Sequence, residues 1–159
     1  MNEIKIIERS YHQDARGDLW TLWNKNDPET AHLEFNHDKV SVSKKNVLRG
    51  IHGDFKSWKL ISCIYGKIFF VIVDNRKNSQ TYFTYKSFEL TSDIKKSILL
   101  PPGFGNGFYV QSEHCVFHYK WSYEGQYPDV DDQFTIKWNN DKLKIDWPCS
   151  NPILQLRDR

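Results

Sequence analysis

This 159-residue chain is short of cysteine, of helical periodicity, of long apolar runs and of net charge, and each shortage closes off a class of function. Its three cysteines, Cys63, Cys115 and Cys149, are odd in number and show no Cys-x-x-Cys spacing. That argues against a disulfide framework and a zinc knuckle, and it suits a reducing compartment. Lys plus Arg number 22 and Asp plus Glu 20, without the basic excess of a dedicated nucleic-acid binder. No apolar run approaches a membrane span. Met1 to Ser10 carries Glu3, Lys5, Glu8 and Arg9, unlike a secretory leader. No repeat, low-complexity stretch or linker divides the chain. The expectation is one cytoplasmic domain over residues 1–159, with no membrane or nucleic-acid partner.

What the chain does have is aromatic and strand-forming residues. Aromatics make up 15%, with six Trp, which fits a β-rich core and supplies platforms for a base or sugar. Strand signals dominate from residue 35 onward. Lys59–Tyr65, Gly66 and Lys67–Asp74 read as a hairpin. Thr81–Leu90 is rich in Tyr, Phe and Thr, and Ser97–Leu100 stops at Pro101-Pro102-Gly103. Gly107–Gln111 and Cys115–Trp121 flank a polar turn, and Phe134–Trp138 and Leu143–Trp147 enclose Asn139-Asn140-Asp141. Many short strands predict an all-β sandwich or barrel, with a jelly roll favoured. Helices are expected to be short and peripheral. The best candidate is Asp27–Glu34, with Asp27 as cap and Pro28 at the first helical position.

Strand parity then sorts side chains. Cys115, Phe117 and Tyr119 share one face, read as inward, and Val116 and His118 share the other. Lys59 shares parity with Ile61 and Cys63. A lysine on an apolar face is costly unless it meets an anion or a cavity, and such a conflict marks a site.

The chemistry concentrates between Leu48 and Lys59. Arg49 suits a phosphate, His52 suits proton transfer near neutral pH, and Lys59 suits a developing oxyanion. Alternation along the strand would point Arg49 and Ile51 away from His52. A lone histidine is most often an ordinary hydrogen-bonded strand residue; the two neighbouring cations tip the balance toward function. Arg16-Gly17 and Arg49-Gly50 are Arg-Gly pairs of the kind that let a phosphate meet a backbone and a guanidinium together. The turn at Asp74-Arg76-Lys77 reads as structural and solvated. A catalytic metal is not expected: His52 is followed by Gly53 and Asp54, no His-x-His pair exists nearby, and the later turn reads Gly105-Asn106-Gly107. Tyr119 is either a buried tyrosine with a satisfied hydroxyl or a proton donor opposite His52, and the sequence leaves both open. In the tail, Ile153, Leu154 and Leu156 are available to anchor Asp158.

These residues resemble a known family. Ser43-Lys44-Lys45-Asn46-Val47-Leu48-Arg49-Gly50-Ile51-His52 is similar to the nucleotide-sugar 3,5-epimerases typified by dTDP-4-dehydrorhamnose 3,5-epimerase. Matches continue in order through Lys59-Leu60, Val73–Ser79, Pro101-Pro102-Gly103-Phe104, Gly107-Phe108, Tyr119-Lys120, Trp138-Asn139 and Ile145-Asp146-Trp147-Pro148. The resemblance implies a cupin-type jelly-roll barrel, a homodimer, and catalysis with neither metal nor cofactor. It implies His52 as base, Asp158 as its orienting carboxylate, Lys59 as stabiliser of the enolate and Tyr119 as acid on the other ring face. Arg49 and Arg16 are implied as pyrophosphate contacts, Arg16 from across the dimer. The implied substrate is a nucleotide-linked 4-keto sugar, inverted at carbon 3 and potentially carbon 5.

Three departures stand out. Asn106 replaces a turn histidine, Gly53-Asp54 replaces Phe-Gln after the base, and Thr21 replaces a glutamate. With Asn106 and Asp54 counted as substrate-binding positions, they resemble the variants acting on GDP-linked 4-keto-6-deoxy-heptoses for capsule biosynthesis. The rival readings are a 3,4-ketoisomerase on the same fold, a catalytically silent sugar-binding module and a metal-dependent cupin enzyme.

Overall fold

A computed structural model describes residues 1–159. Twelve strands follow in chain order. They are β1 (Lys5–Glu8), β2 (Tyr11–Asp14), β3 (Gly17–Trp20), β4 (His37–Lys44), β5 (Leu48–Gly53) and β6 (Trp58–Tyr65). Then come β7 (Lys67–Asp74), β8 (Tyr85–Thr91), β9 (Lys96–Leu100), β10 (Phe104–Val110), β11 (His114–Ser122) and β12 (Phe134–Thr135). Two antiparallel five-stranded sheets face each other, ordered β1-β9-β6-β11-β4 and β12-β5-β10-β7-β8, and β2-β3 forms a separate hairpin. This is the jelly roll expected of a chain of short alternating strands. No helix is long and apolar enough to cross a membrane.

Alternation builds the core. Ile61, Cys63, Ile98, Cys115 and Phe117 from the first sheet meet Ile68, Phe70, Ile72, Phe104 and Phe108 from the second. Phe108 stacks on Phe117 with centroids 4.5 Å apart, joining the sheets directly. Each fully buried ring of this kind contributes about 1.5–3 kcal/mol by leaving water, so this aromatic layer sets the sheet spacing beneath the open end. The inward face assigned to Cys115, Phe117 and Tyr119 is the observed one, and His118 turns outward to Asp38 (2.7 Å).

The second sheet is buried on both faces. Its outer face, with Leu48, Ile51, Val71 and Val73, is covered by the C-terminal segment through Ile136, Leu143 and Trp147. Of the strands expected there, only Phe134–Thr135 pairs; Leu143–Trp147 forms no strand. Trp147 is held by its indole N–H, which donates to the Trp138 carbonyl at 2.7 Å. Side-chain packing rather than a ladder fixes this segment.

Three other expectations are corrected. β6 and β7 do not pair with each other: the chain crosses between sheets at Gly66. Gly66 has φ +87°, and a Cβ there would stand 2.2 Å from the His114 carbonyl oxygen. Residues Asp27–Glu34 form turns, not a helix. The Asp27 carboxylate pairs with Arg9 (2.5 Å) instead of capping, and Leu33 and Phe35 pack on the outer face of the first sheet. Two single-turn 3₁₀ elements, Val130–Asp132 and Leu156–Asp158, are the helical content. Finally, Asp74 is buried, not solvated: its carboxylate accepts from Arg76 (2.8 Å), Ser79 (2.6 Å) and Thr81 (2.7 Å).

Candidate active site

A polar cavity of about 250 Å³ opens between the sheets, with Tyr119 at its boundary to the core, edge-on to Phe117 at 4.6 Å. Arg49 and His52 from β5, Lys59 from β6, Asn106 from β10 and Tyr119 from β11 all line it.

Simple alternation would have separated Arg49 from His52. The β5–β10 ladder instead slips by one residue, pairing Asn106 with His52 but Phe108 with Arg49. The extra residue in β5 is a bulge that returns Arg49 to the cavity side and leaves Ile51 in the outer core. Gly50 makes it possible. Its φ is +105°, and a Cβ would lie 2.6 Å from the Asn106 carbonyl oxygen.

His52 Nε2 lies 2.6 Å from Asp158 Oδ1. Donation from Nε2–H to that carboxylate leaves Nδ1 with the lone pair. Asp158 is 1% exposed although it is the penultimate residue. The anchoring differs from expectation. Ile153 and Leu156 side chains are exposed. The strap is held by backbone, with Leu48 N–H donating to Ile153 O (3.0 Å) and Ile153 N–H to Asn46 O (2.8 Å). Leu154 adds packing on the outer core, and Arg157 donates to Thr135 Oγ1 at 3.0 Å.

Lys59 is buried with Asp54, Nζ to Oδ2 3.0 Å, and its ammonium sits 4.5 Å from the Trp121 ring centroid. Burial pulls the Lys59 pKa below that of a free lysine, with the Asp54 carboxylate opposing. Burial would raise Asp54, but the Lys59 charge and the N–H groups of Lys56 and Ser57 bring it below the ordinary value. Asp54 therefore stands behind Lys59 and does not line the cavity, so its expected role as a substrate contact is corrected. Tyr119 is pushed above the usual phenol range by burial, with the Arg49 charge opposing. It keeps its proton at neutral pH and can donate it.

Arg49 donates Nε–H to Ser43 Oγ at 2.9 Å, which steadies the guanidinium without using its terminal amines. Arg16 is not at this cavity. It lies at the turn of the β2-β3 hairpin, 89% exposed, paired with Asp14 at 2.5 Å. No cluster of three or more His, Cys, Asp or Glu has metal-binding spacing.

Lys39, Trp121, Tyr127, Gln133, Gln155 and Arg157 also line the cavity and were not singled out from sequence. Trp121 continues the parity of Phe117 and Tyr119, so that signal was present. The loop and tail residues carried none.

A jelly roll whose cavity joins a carboxylate-held imidazole, a buried ammonium and a protonated tyrosine defines a class: the sugar epimerases, enzymes of the isomerase type. The chain belongs to the dTDP-4-dehydrorhamnose 3,5-epimerase family, whose model matches residues 1–159. It is 34% identical to the dTDP-4-dehydrorhamnose 3,5-epimerase of Salmonella typhimurium, over 98% of this chain and 87% of the relative. The Bacillus anthracis enzyme of that name, solved with TDP and PPi bound, aligns with TM-score 0.90 and 33% identity, covering 98% of this chain and 91% of its own. The Legionella pneumophila epimerase, solved with dTDP-4-keto-L-rhamnose, aligns with TM-score 0.89 and 31% identity, covering 99% and 86%.

Proposed function

We propose that this protein epimerises a nucleotide-linked 4-keto-6-deoxy sugar at carbon 3, and at carbon 5 by the same chemistry. The single observation that carries the reading is the His52–Asp158 pair facing Lys59 and Tyr119 across one cavity. The ketone acidifies the neighbouring C–H. His52 Nδ1 takes that proton, the C–H electron pair moves into a carbon–carbon double bond, and negative charge builds on the ketone oxygen. The Lys59 ammonium offsets that charge. Tyr119 O–H returns a proton to the opposite face, inverting the centre; water then reprotonates the phenolate, and the hydroxide formed takes the proton from the His52 imidazolium, restoring both groups. The ketone is itself the electron sink, so the steps call for neither metal nor redox cofactor. Assistance from each acid or base is worth roughly 10²–10⁴-fold.

Arg49, Lys39 and Arg157 give the cavity the positive charge a diphosphate needs. In this reading the protein works as a cytoplasmic homodimer, and the exposed Arg16 hairpin reaches the partner's cavity to complete that site.

The Bacillus anthracis and Legionella pneumophila enzymes were solved with TDP and with dTDP-4-keto-L-rhamnose, and a dTDP-linked 4-keto-6-deoxy-hexose is the first substrate to test. A narrower reading, a GDP-linked 4-keto-6-deoxy-heptose of capsule synthesis, rests on Asn106. This neutral amide lines the cavity next to His52, where the family usually has an imidazole. The test is a panel of 4-keto sugars on dTDP, GDP and CDP, read by product NMR. An inverted carbon 3 supports the reading, and the preferred carrier names the nucleotide. A carbonyl moved to carbon 3 would make it a ketoisomerase; binding without turnover would leave only a binding module.

A further inference from the structure

The reaction as proposed accounts for Lys59 but not for Asp54, a carboxylate 2% exposed and outside the cavity lining. Two oxygens of this group have separate tasks. Oδ1 accepts from the backbone N–H groups of Lys56 (2.9 Å) and Ser57 (2.6 Å), closing the turn between β5 and β6. Oδ2 faces Lys59 Nζ at 3.0 Å. The turn thus links the strand that carries His52 to the strand that carries Lys59, and places one fixed negative charge behind the ammonium.

We propose that Asp54 is a positioning residue: it keeps Lys59 charged and aimed at the ketone oxygen. The alternative for a lysine this enclosed is neutrality. Its side chain is 4% exposed, its neighbour in β9 is Leu100, and its other close partner is the Trp121 ring. A neutral amine offsets little enolate charge. The other titratable and charged groups around the cavity are His52 and Arg49 on β5, Lys39 on β4, Tyr119 on β11, Tyr127 and Asp129 in the loop before β12, and Arg157 and Asp158 in the tail, while His118 and Lys120 of β11 are paired with Asp38. Asp158 is committed to His52, and the cations oppose a second positive charge. Asp54 is the carboxylate in ion-pair contact with Lys59.

This inference rests on the epimerase reading for its kinetics but not for its chemistry, so the test has two arms. Asp54→Asn keeps an Oδ1 acceptor for the turn, removes the charge and replaces the acceptor facing Lys59 with an amide N–H. In the kinetic arm, the basic limb of log kcat against pH moves to lower pH by about one unit or more, because the unpaired ammonium loses its proton sooner. KM stays within about twofold, since uniform binding is untouched. Asp54→Glu, which retains the charge, restores the limb. In the second arm, NMR follows the Lys59 Cε and Asp54 Cγ resonances through a pH titration of the substrate-free wild-type protein. The Asp54 signal shifts as Lys59 loses its proton. This arm needs neither turnover nor a folded variant. Superimposable pH profiles for the wild type and Asp54→Asn, or a Lys59 titration that leaves Asp54 unmoved, overturn the proposal. Absence of turnover in the wild type, with the two resonances still coupled, would instead remove the epimerase reading and leave the Asp54–Lys59 assignment standing.

Discussion

Single residues decide charge here. Asp74 is the clearest structural case. Burial would raise its carboxyl, but Arg76, Ser79 and Thr81 more than offset that and hold it well below the usual carboxylate range. A carboxyl depressed on folding stabilises the protein while it is ionised. That contribution is full above the unfolded Asp value, about 3.9, and is lost as pH falls from there through the folded value. Asp74→Asn should therefore lower stability at neutral pH by about 3 kcal/mol, at the low end for a broken buried pair because Arg76 is partly exposed. It should also flatten the loss of stability below about pH 4. Urea melts of both proteins across pH would show it, and equal stabilities at neutral pH would refute it. At this scale the sequence was informative wherever parity sufficed. Lys59 on an apolar face and Tyr119 in line with Cys115 and Phe117 both needed only alternation. Asp54 was misjudged because its partner depends on how one turn folds back.

At the scale of elements, alternation stops being enough. The β5 bulge that brings Arg49 beside His52 is set by pairing with β10, information spread over some fifty residues of chain. The same holds for Gly66, whose flanking strands look like a hairpin and instead enter different sheets. The short turn residues are the same in both cases, and only the packing of two apolar faces chooses. The segment at residues 27–34 forms turns, and its Asp27 carboxylate pairs with Arg9 where a helix cap was expected. The C-terminal strap carries the carboxylate that meets His52. Local sequence offered apolar anchors for Asp158, but its place at His52 came only through family resemblance, since nothing local shows that Ile153 docks beside Leu48. Asp158→Asn leaves those backbone bonds intact while removing the charge behind His52. The expected result is an unchanged melting temperature with kcat reduced by roughly 10²-fold or more. Near wild-type turnover would show that the strap only closes the cavity.

The whole molecule raises the question of the second subunit. One chain presents a cavity lined by Arg49, Lys39 and Arg157 and an Arg16 hairpin exposed to solvent. If each hairpin completes its partner's site, two differently damaged chains can restore one. Equimolar mixing of His52→Ala and Arg16→Ala chains, with subunit exchange, gives dimers in which one of two sites is whole. Activity should rise to about a quarter of wild type, since half the dimers are mixed. Activity no higher than that of the unmixed variants, or a monomer in sedimentation, contradicts the arrangement.

In the proposed reaction His52 removes the hydrogen next to the sugar ketone. The most direct measurement is deuterium uptake from heavy water by a nucleotide-linked 4-keto-6-deoxy sugar, followed by mass spectrometry with wild-type protein and with His52→Asn. Incorporation at carbon 3 is expected with the wild type, and a rate lower by roughly 10²–10⁴-fold in a variant that folds normally. Undiminished uptake with the imidazole gone would contradict it.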